Sequence, residues 1–186
     1  MTATLAGVEV AGVEVAGVEV AGGVVDGGVE ERAFRAAMAD LPAAVSIVTT
    51  TAPDGAPHGA TVSAVTSLSL RPAMILVCLD QQSDTLAALE RDRHFLVHIA
   101  AYGQQDQIMR FAGKGTDKFV GDHWATGRSG QPQLLGAAQV LDCVVADLVP
   151  GGDHTIVVGR VTAIEHDESS TPIVYHRRRL MPTPAV

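Results

Sequence analysis

Residues 59–70 read Gly-Ala-Thr-Val-Ser-Ala-Val-Thr-Ser-Leu-Ser-Leu and alternate with a period of two. That period commits the run to an extended strand, because successive side chains of a strand point to opposite faces. Thr61, Ser63, Val65, Ser67 and Ser69 fall on one face, and Val62, Ala64, Thr66, Leu68 and Leu70 on the other. Pro53-Asp54-Gly55 ahead of the run has the chemistry of a tight turn, and Arg71-Pro72 closes it. The row of small hydroxyls has two readings. It faces water on a half-exposed strand, or it admits a flat, polar-edged ligand to backbone and hydroxyl donors, since no large side chain holds the ligand away.

Other strands surround this one. Residues 44–51 pair back through the turn as a hairpin, 73–79 form a buried strand, and 95–100 another. Residues 138–149 and 155–166 make a long hairpin around Pro150-Gly151-Gly152-Asp153, and 173–176 a last strand. Helices are few. Phe34, Ala37, Met38 and Leu41 form a stripe that Pro42 ends, expected to pack on the strands, and 83–91 and 104–111 are short helices. A polar, glycine-bearing loop over 112–132 carries Lys118, Phe119 and Trp124, and reads as a lid or ligand-edge loop. Many strands with few helices predict a mainly β chain closed as an antiparallel barrel.

Residues 6–22 repeat Ala-Gly-Val-Glu-Val three times and end on Ala21-Gly22. An odd period flips the valine face of a strand at each repeat, and on a helix each repeat advances about 140° beyond a full turn, so no stripe forms either way. The expectation is a disordered tail over 1–29, with strand addition of Val-Glu-Val units to another sheet edge as the alternative. A single folded domain over 30–180 and a flexible end at 181–186 complete the division. No apolar run approaches a membrane span, and the N-terminus lacks a basic region with a long apolar core, so the chain is expected in the cytoplasm. A net charge of -8 disfavours nucleic acid. Cys78 and Cys143 sit apart in apolar runs, as buried reduced thiols do.

Several enzyme signatures are missing. There is no Gly-x-Ser-x-Gly and no Gly-x-Gly-x-x-Gly after a strand, and Gly113-Lys114-Gly115-Thr116 has only the tail of a phosphate loop. His94 and His98 are spaced as metal ligands or as ordinary strand positions around Phe95-Leu96-Val97, and no metal is expected. Ser83 and Thr85 begin a helix whose free N-H groups suit an anion; Asp84 opposes that, and Ser83 as a plain N-cap is the competing reading. His154 opens a strand after a glycine turn, and a turn histidine bonded to Asp153 is its plain reading beside any role in a site.

Phe34-Arg35-x-x-Met38-x-x-Leu41-Pro42, the strand Val45-Ser46-Ile47-Val48-Thr49-Thr50, the run at 59–70, and Gly152-Asp153-His154-Thr155 with Val158-Gly159-Arg160-Val161 occur in this order. Together, from about residue 33 to about residue 179, they resemble the short-chain flavin reductases, the NAD(P)H-dependent components of two-component flavin monooxygenases. The resemblance implies an FMN-binding split β-barrel with a few peripheral helices, working as a homodimer. It implies reduction of FMN or FAD by NADH or NADPH, with the reduced flavin passing to a separate monooxygenase. Thr61, Val62, Ser63, Ala64, Ser67 and Leu68 would contact the flavin, and Ser83, Thr85, Lys118 and Phe119 its phosphate or adenylate end. His154, Tyr175 and Arg177 would meet the nicotinamide, although Arg177-Arg178-Arg179 also reads as a solvated basic run. No protein nucleophile is implied, since the hydride passes directly to the flavin. The alternatives are a related split-barrel oxidase that keeps its flavin and a flavin-binding protein without turnover.

Overall fold

The computed structural model describes residues 24–25, 28–115 and 117–184; the repeats at 6–22, with most of the expected tail, lie outside the described residues. The chain divides into two units, Met1–Met38 and Ala39–Val186. In the first, β1 (Val24–Val25) pairs antiparallel with β2 (Gly28–Val29), and α1 (Glu31–Ala39) follows. The apolar stripe predicted for α1 is present, but no residue of the helix is buried and Phe34 and Met38 stay exposed.

The second unit is built on a seven-stranded antiparallel sheet. Its chain order is β3 (Ala43–Ala44), β4 (Ser46–Thr51), β5 (Pro57–Val62), β6 (Val65–Leu70), β7 (Ala73–Asp80), α2 (Asp84–Asp92), β8 (His94–Ile99) and α3 (Gln105–Ala112). Then come β9 (Trp124–Thr126), β10 (Pro132–Leu134), β11 (Gln139–Gly151), β12 (His154–His166), β13 (Ile173–His176) and β14 (Arg179–Pro182). The large sheet has the order β5-β4-β8-β11-β12-β7-β6, while β14-β13-β3 and β10-β9 are small separate sheets. No described helix is long and apolar enough to cross a membrane.

That order requires curvature. β5 and β6 are opposite edges of the sheet, yet only Ser63 and Ala64 separate them in the chain. Seven flat strands at about 4.8 Å spacing would hold those edges roughly 29 Å apart, whereas a link of two residues spans about 10 Å. The sheet therefore curls until its edges meet at this corner, where the Cys78 N-H donates to Ala64 O at 3.0 Å. The single strand expected over residues 59–70 is thus two strands, β5 on β4 and β6 on β7. A register shift between Ser67 and Ser69 interrupts β6 again, so the even alternation of hydroxyls is not kept.

The curl encloses one core, made by Val48, Val62, Val77, Phe95, Val97, Cys143 and Val157 with Leu86 and Leu89 of α2. Gly159 lies against Phe95: a Cβ there would come within 2.6 Å of its Cζ, so only glycine leaves room for the ring at the centre of the barrel. A second core outside the barrel wall joins Val45, Ile47, Ile108, Phe111, Leu134 and Ile173, with Phe119 and Trp124 against it. Val48 and Ile47 serve different cores, so β4 is buried on both faces, which explains its near-continuous run of apolar and hydroxyl residues. The thiols are free, and burial pushes Cys143 up to about 12.

Candidate functional site

An open groove of about 640 Å³ lies along β5, the start of α2 and the segment that follows α3. Its size is that of a small-molecule site. Gly59 and Thr61 of β5 line it, together with Asp80, Ser83, Asp84 and Thr85 around the α2 start, and Phe111, Gly113, Lys114, Asp117, Lys118 and Phe119 on the far side. Gly59 is there for space: a Cβ would stand 2.5 Å from Phe111 Cε1, so the ring can lie on β5 only because this residue has no side chain.

Lys118 is held rather than free. Its ammonium donates to Gly59 O at 3.0 Å and Phe111 O at 3.4 Å, and sits 5.8 Å from the Phe111 ring centroid. Partial burial pulls its pKa down from the ordinary value, and the Asp84 carboxylate opposes that. Two of its three N-H donors are used by the backbone, which leaves one for a ligand. Across the groove, Ser83 caps α2 by accepting from the Thr85 N-H at 3.2 Å. The capping residue and the other residues expected at the start of this helix, Asp84 and Thr85, all line the same groove.

His154 stands at one end of this arrangement. In the sheet it pairs with Asp80, which lines the groove. The Gln81 N-H donates to Asp153 O at 3.0 Å, and its side-chain amide to Gly152 O at 3.2 Å. The glycine turn is thereby tied to the groove rim. His154 Nδ1 bonds Asp153 Oδ1 at 2.7 Å, and that contact holds the Asp153 carboxyl below the usual range.

The structure brings together Thr61, Ser83, Thr85, Lys118 and Phe119, with His154 at the rim, but not the rest of the expected set. The Thr61 hydroxyl is already given to Ile108 O at 2.7 Å. Val62 is in the barrel core, Ser63 and Ala64 are exposed at the corner, and Ser67 and Leu68 are exposed on β6. Tyr175 belongs to the small β14-β13-β3 sheet, and Arg177, in its hairpin turn, donates to Asp40 Oδ1 at 2.6 Å. None of these seven, from Val62 to Arg177, lines the groove of the single chain. Gly59, Asp80 and Phe111 were not foreseen, although a glycine inside a strand pattern is itself a sign of close approach. His98 is fully buried between two backbone groups, which accounts for it without a metal.

A curled antiparallel barrel with a groove of this make-up defines a class. The flavin reductase like domain matches residues 38–184, and the chain belongs to that family. An actinorhodin polyketide dimerase of Streptomyces coelicolor is 36% identical over 150 residues, covering 81% of this chain and 85% of that protein. HsaB, the reductase subunit of a flavin-dependent monooxygenase of Rhodococcus jostii, is 33% identical over 148 residues, covering 80% and 75%. Among solved structures, the Streptomyces globisporus C-1027 NADH:FAD oxidoreductase SgcE6, in complex with NAD and FAD fragments, matches with a TM-score of 0.78. That match is 29% identical and covers 83% of this chain and 93% of that one.

Proposed function

We propose that this chain is the reductase component of a two-component flavin monooxygenase. It is an NAD(P)H:flavin oxidoreductase that uses NADH or NADPH to reduce FMN or FAD, and the reduced flavin leaves for a separate oxygenase. The observation that carries the reading is the groove itself, in a chain whose family match spans residues 38–184. It has aromatic faces, a cation with one unused donor and a helix start, which suit a flavin and its phosphate in kind. The Asp84 carboxylate, near enough to Lys118 to act on its charge, opposes a phosphate here and has to point away from one that binds.

The flavin supplies the hydride acceptor, N5 of its ring, and the protein binds and orients. Lys118 and the first N-H groups of α2 hold negative charge at one end. His154 orients the nicotinamide: its Nδ1-H is committed to the Asp153 carboxylate, which leaves Nε2 for the carboxamide. Tyr175 and Arg177, and the hydroxyls of Ser63 and Ser67, would join the site from a second copy of the chain or after a local movement. Exposed Leu68 and Leu70 on the edge strand β6 support a homodimer that covers them.

A second reading is favoured by the relative named for polyketide dimerisation: a split-barrel flavoenzyme that keeps its flavin and acts on an organic substrate. Steady-state oxidation of NADH and NADPH with and without added FMN or FAD separates the two. The reductase turns over in proportion to added flavin until saturation. Turnover that needs an organic substrate and is indifferent to added flavin would overturn it.

A further inference from the structure

We propose that His98 is a positioning residue of the flavin groove: its buried imidazole bridges β4 to β10 and so seats Trp124, on which the aromatic and cationic wall of the groove rests. The inference rests on the groove being the flavin site. It starts from a polar side chain with no exposed surface, in a strand where an apolar residue would satisfy packing.

The two ring nitrogens are both committed to backbone. Nδ1 lies 2.9 Å from Ile47 O, a group that only accepts, so this nitrogen carries the proton. Nε2 is then a bare acceptor, and it receives the Leu134 N-H at 3.1 Å. Only the neutral imidazole in this one tautomer makes both bonds. Burial keeps it neutral, pulling its pKa down to about 4.

Leu134 pairs with Trp124 across the β9–β10 hairpin, so fixing one fixes the other. The imidazole also meets the indole edge-on, with centroids 6.5 Å apart. Trp124 packs on Phe119 at 4.8 Å and on Phe111 at 5.1 Å, and those two rings meet edge-to-face at 4.9 Å. Phe111 O accepts from Lys118, and Phe111, Phe119 and Lys118 all line the groove. The hairpin has other anchors, Thr49 Oγ1 to Pro132 O at 2.5 Å and Gln131 Nε2 to Asp92 Oδ2 at 2.6 Å. Both hold the Gln131-Pro132 end. At the Trp124 end Gln104 Nε2 donates to Leu135 O at 2.9 Å, and His98 is the side chain that bonds Leu134 itself, so its loss displaces the wall without detaching the hairpin.

Three variants and one control test this. His98→Asn keeps a donor for Ile47 O but cannot reach Leu134, and His98→Gln can reach both. Trp124→Leu cuts the relay one step later at a half-buried position, so the test survives if His98→Asn does not fold. Lys118→Met reports whether the groove takes flavin at all. Trp124 is the only tryptophan, so its emission maximum and acrylamide quenching read the seating directly.

His98→Asn is expected to red-shift Trp124 emission and raise the Kd and KM for FMN roughly five- to twentyfold, with kcat at saturating flavin nearly kept and His98→Gln close to the native chain. Trp124→Leu weakens FMN by a similar factor. Unchanged emission in folded His98→Asn overturns the proposal. So does unchanged FMN affinity in His98→Asn or Trp124→Leu while Lys118→Met weakens it. If all three leave FMN affinity unchanged, the groove is not the flavin site, and the inference falls with that reading.

Discussion

At the scale of single residues, local pairs were legible in the sequence and distant ones were not. The Asp153 contact of His154 and the Ser83 cap involve neighbours one and two positions away, and both were anticipated as competing readings. The Thr61 hydroxyl bond to Ile108 spans 47 positions and the Lys118 bond to Gly59 spans 59, distances over which no spacing rule operates. Alternation therefore identified Thr61 as a hydroxyl on a face but not that α3 had claimed it. His154→Ala is expected to lower kcat/KM for the nicotinamide about ten- to a hundredfold, equivalent to roughly 1.4 to 2.7 kcal/mol in the transition state. Stopped-flow reduction of preloaded flavin checks it, and native rates would reduce His154 to a turn residue. His98 gives a prediction for stability. Its ordinary pKa is 6.5 and its folded value about 4, so the unfolded chain binds the proton first as pH falls. Stability is then full above about 6.5 and declines toward pH 4, by about 3 kcal/mol over the window. Urea midpoints measured from pH 7.5 to 4.5 should fall, and His98→Gln should flatten that slope.

At the scale of elements, the long strands and the two helices of the second unit follow the sequence within a few residues, because alternation, turn residues and caps are all local. The strand over 59–70 and the β9–β10 hairpin did not, and β14 follows the strand at 173–176 that was expected to be the last. The strand over 59–70 divides because a period of two records which face a side chain takes and not whether the strand bends; Ser63 and Ala64 fit the pattern while turning the corner. The β9–β10 hairpin was lost in the expected loop over 112–132. Its strands are three residues each, too short for a period to show, and one begins with proline. The start of α2 carries the element-level prediction. Ser83→Ala should lower stability by about 1 kcal/mol through loss of the cap. Ser83→Asp keeps a capping oxygen and most of the stability, but adds charge where the phosphate is proposed, so FMN affinity should drop severalfold. Urea unfolding and flavin titration on both variants separate the cap from the site, and equal FMN affinity in Ser83→Asp would move the phosphate elsewhere.

For the whole molecule, the mainly β class was readable from the count of strands, but the order of the strands was not. Residues 138–149 and 155–166 declare their own hairpin, yet nothing in either declares that β11 will take β8 and β12 will take β7 as outer neighbours. The proposed dimer belongs to this scale. Leu70 is 89% exposed on an edge strand, and Leu70→Glu should shift sedimentation from dimer toward monomer; a native chain that sediments as a monomer at micromolar concentration would count against the second copy. The corner at Ser63 and Ala64 has a further consequence, for how the chain reaches its shape. β4 with β5, β6 with β7, and β11 with β12 are hairpins between neighbours in sequence, but the seams that weld them join positions as distant as Met74 and Arg160. Loop-closure entropy must be met before such contacts give anything back, so the search for those seams sets the pace, and refolding belongs in the millisecond-to-second range typical of β-rich topologies. The covalent corner brings β5 and β6 together from the outset, leaving the wall between them to be found last.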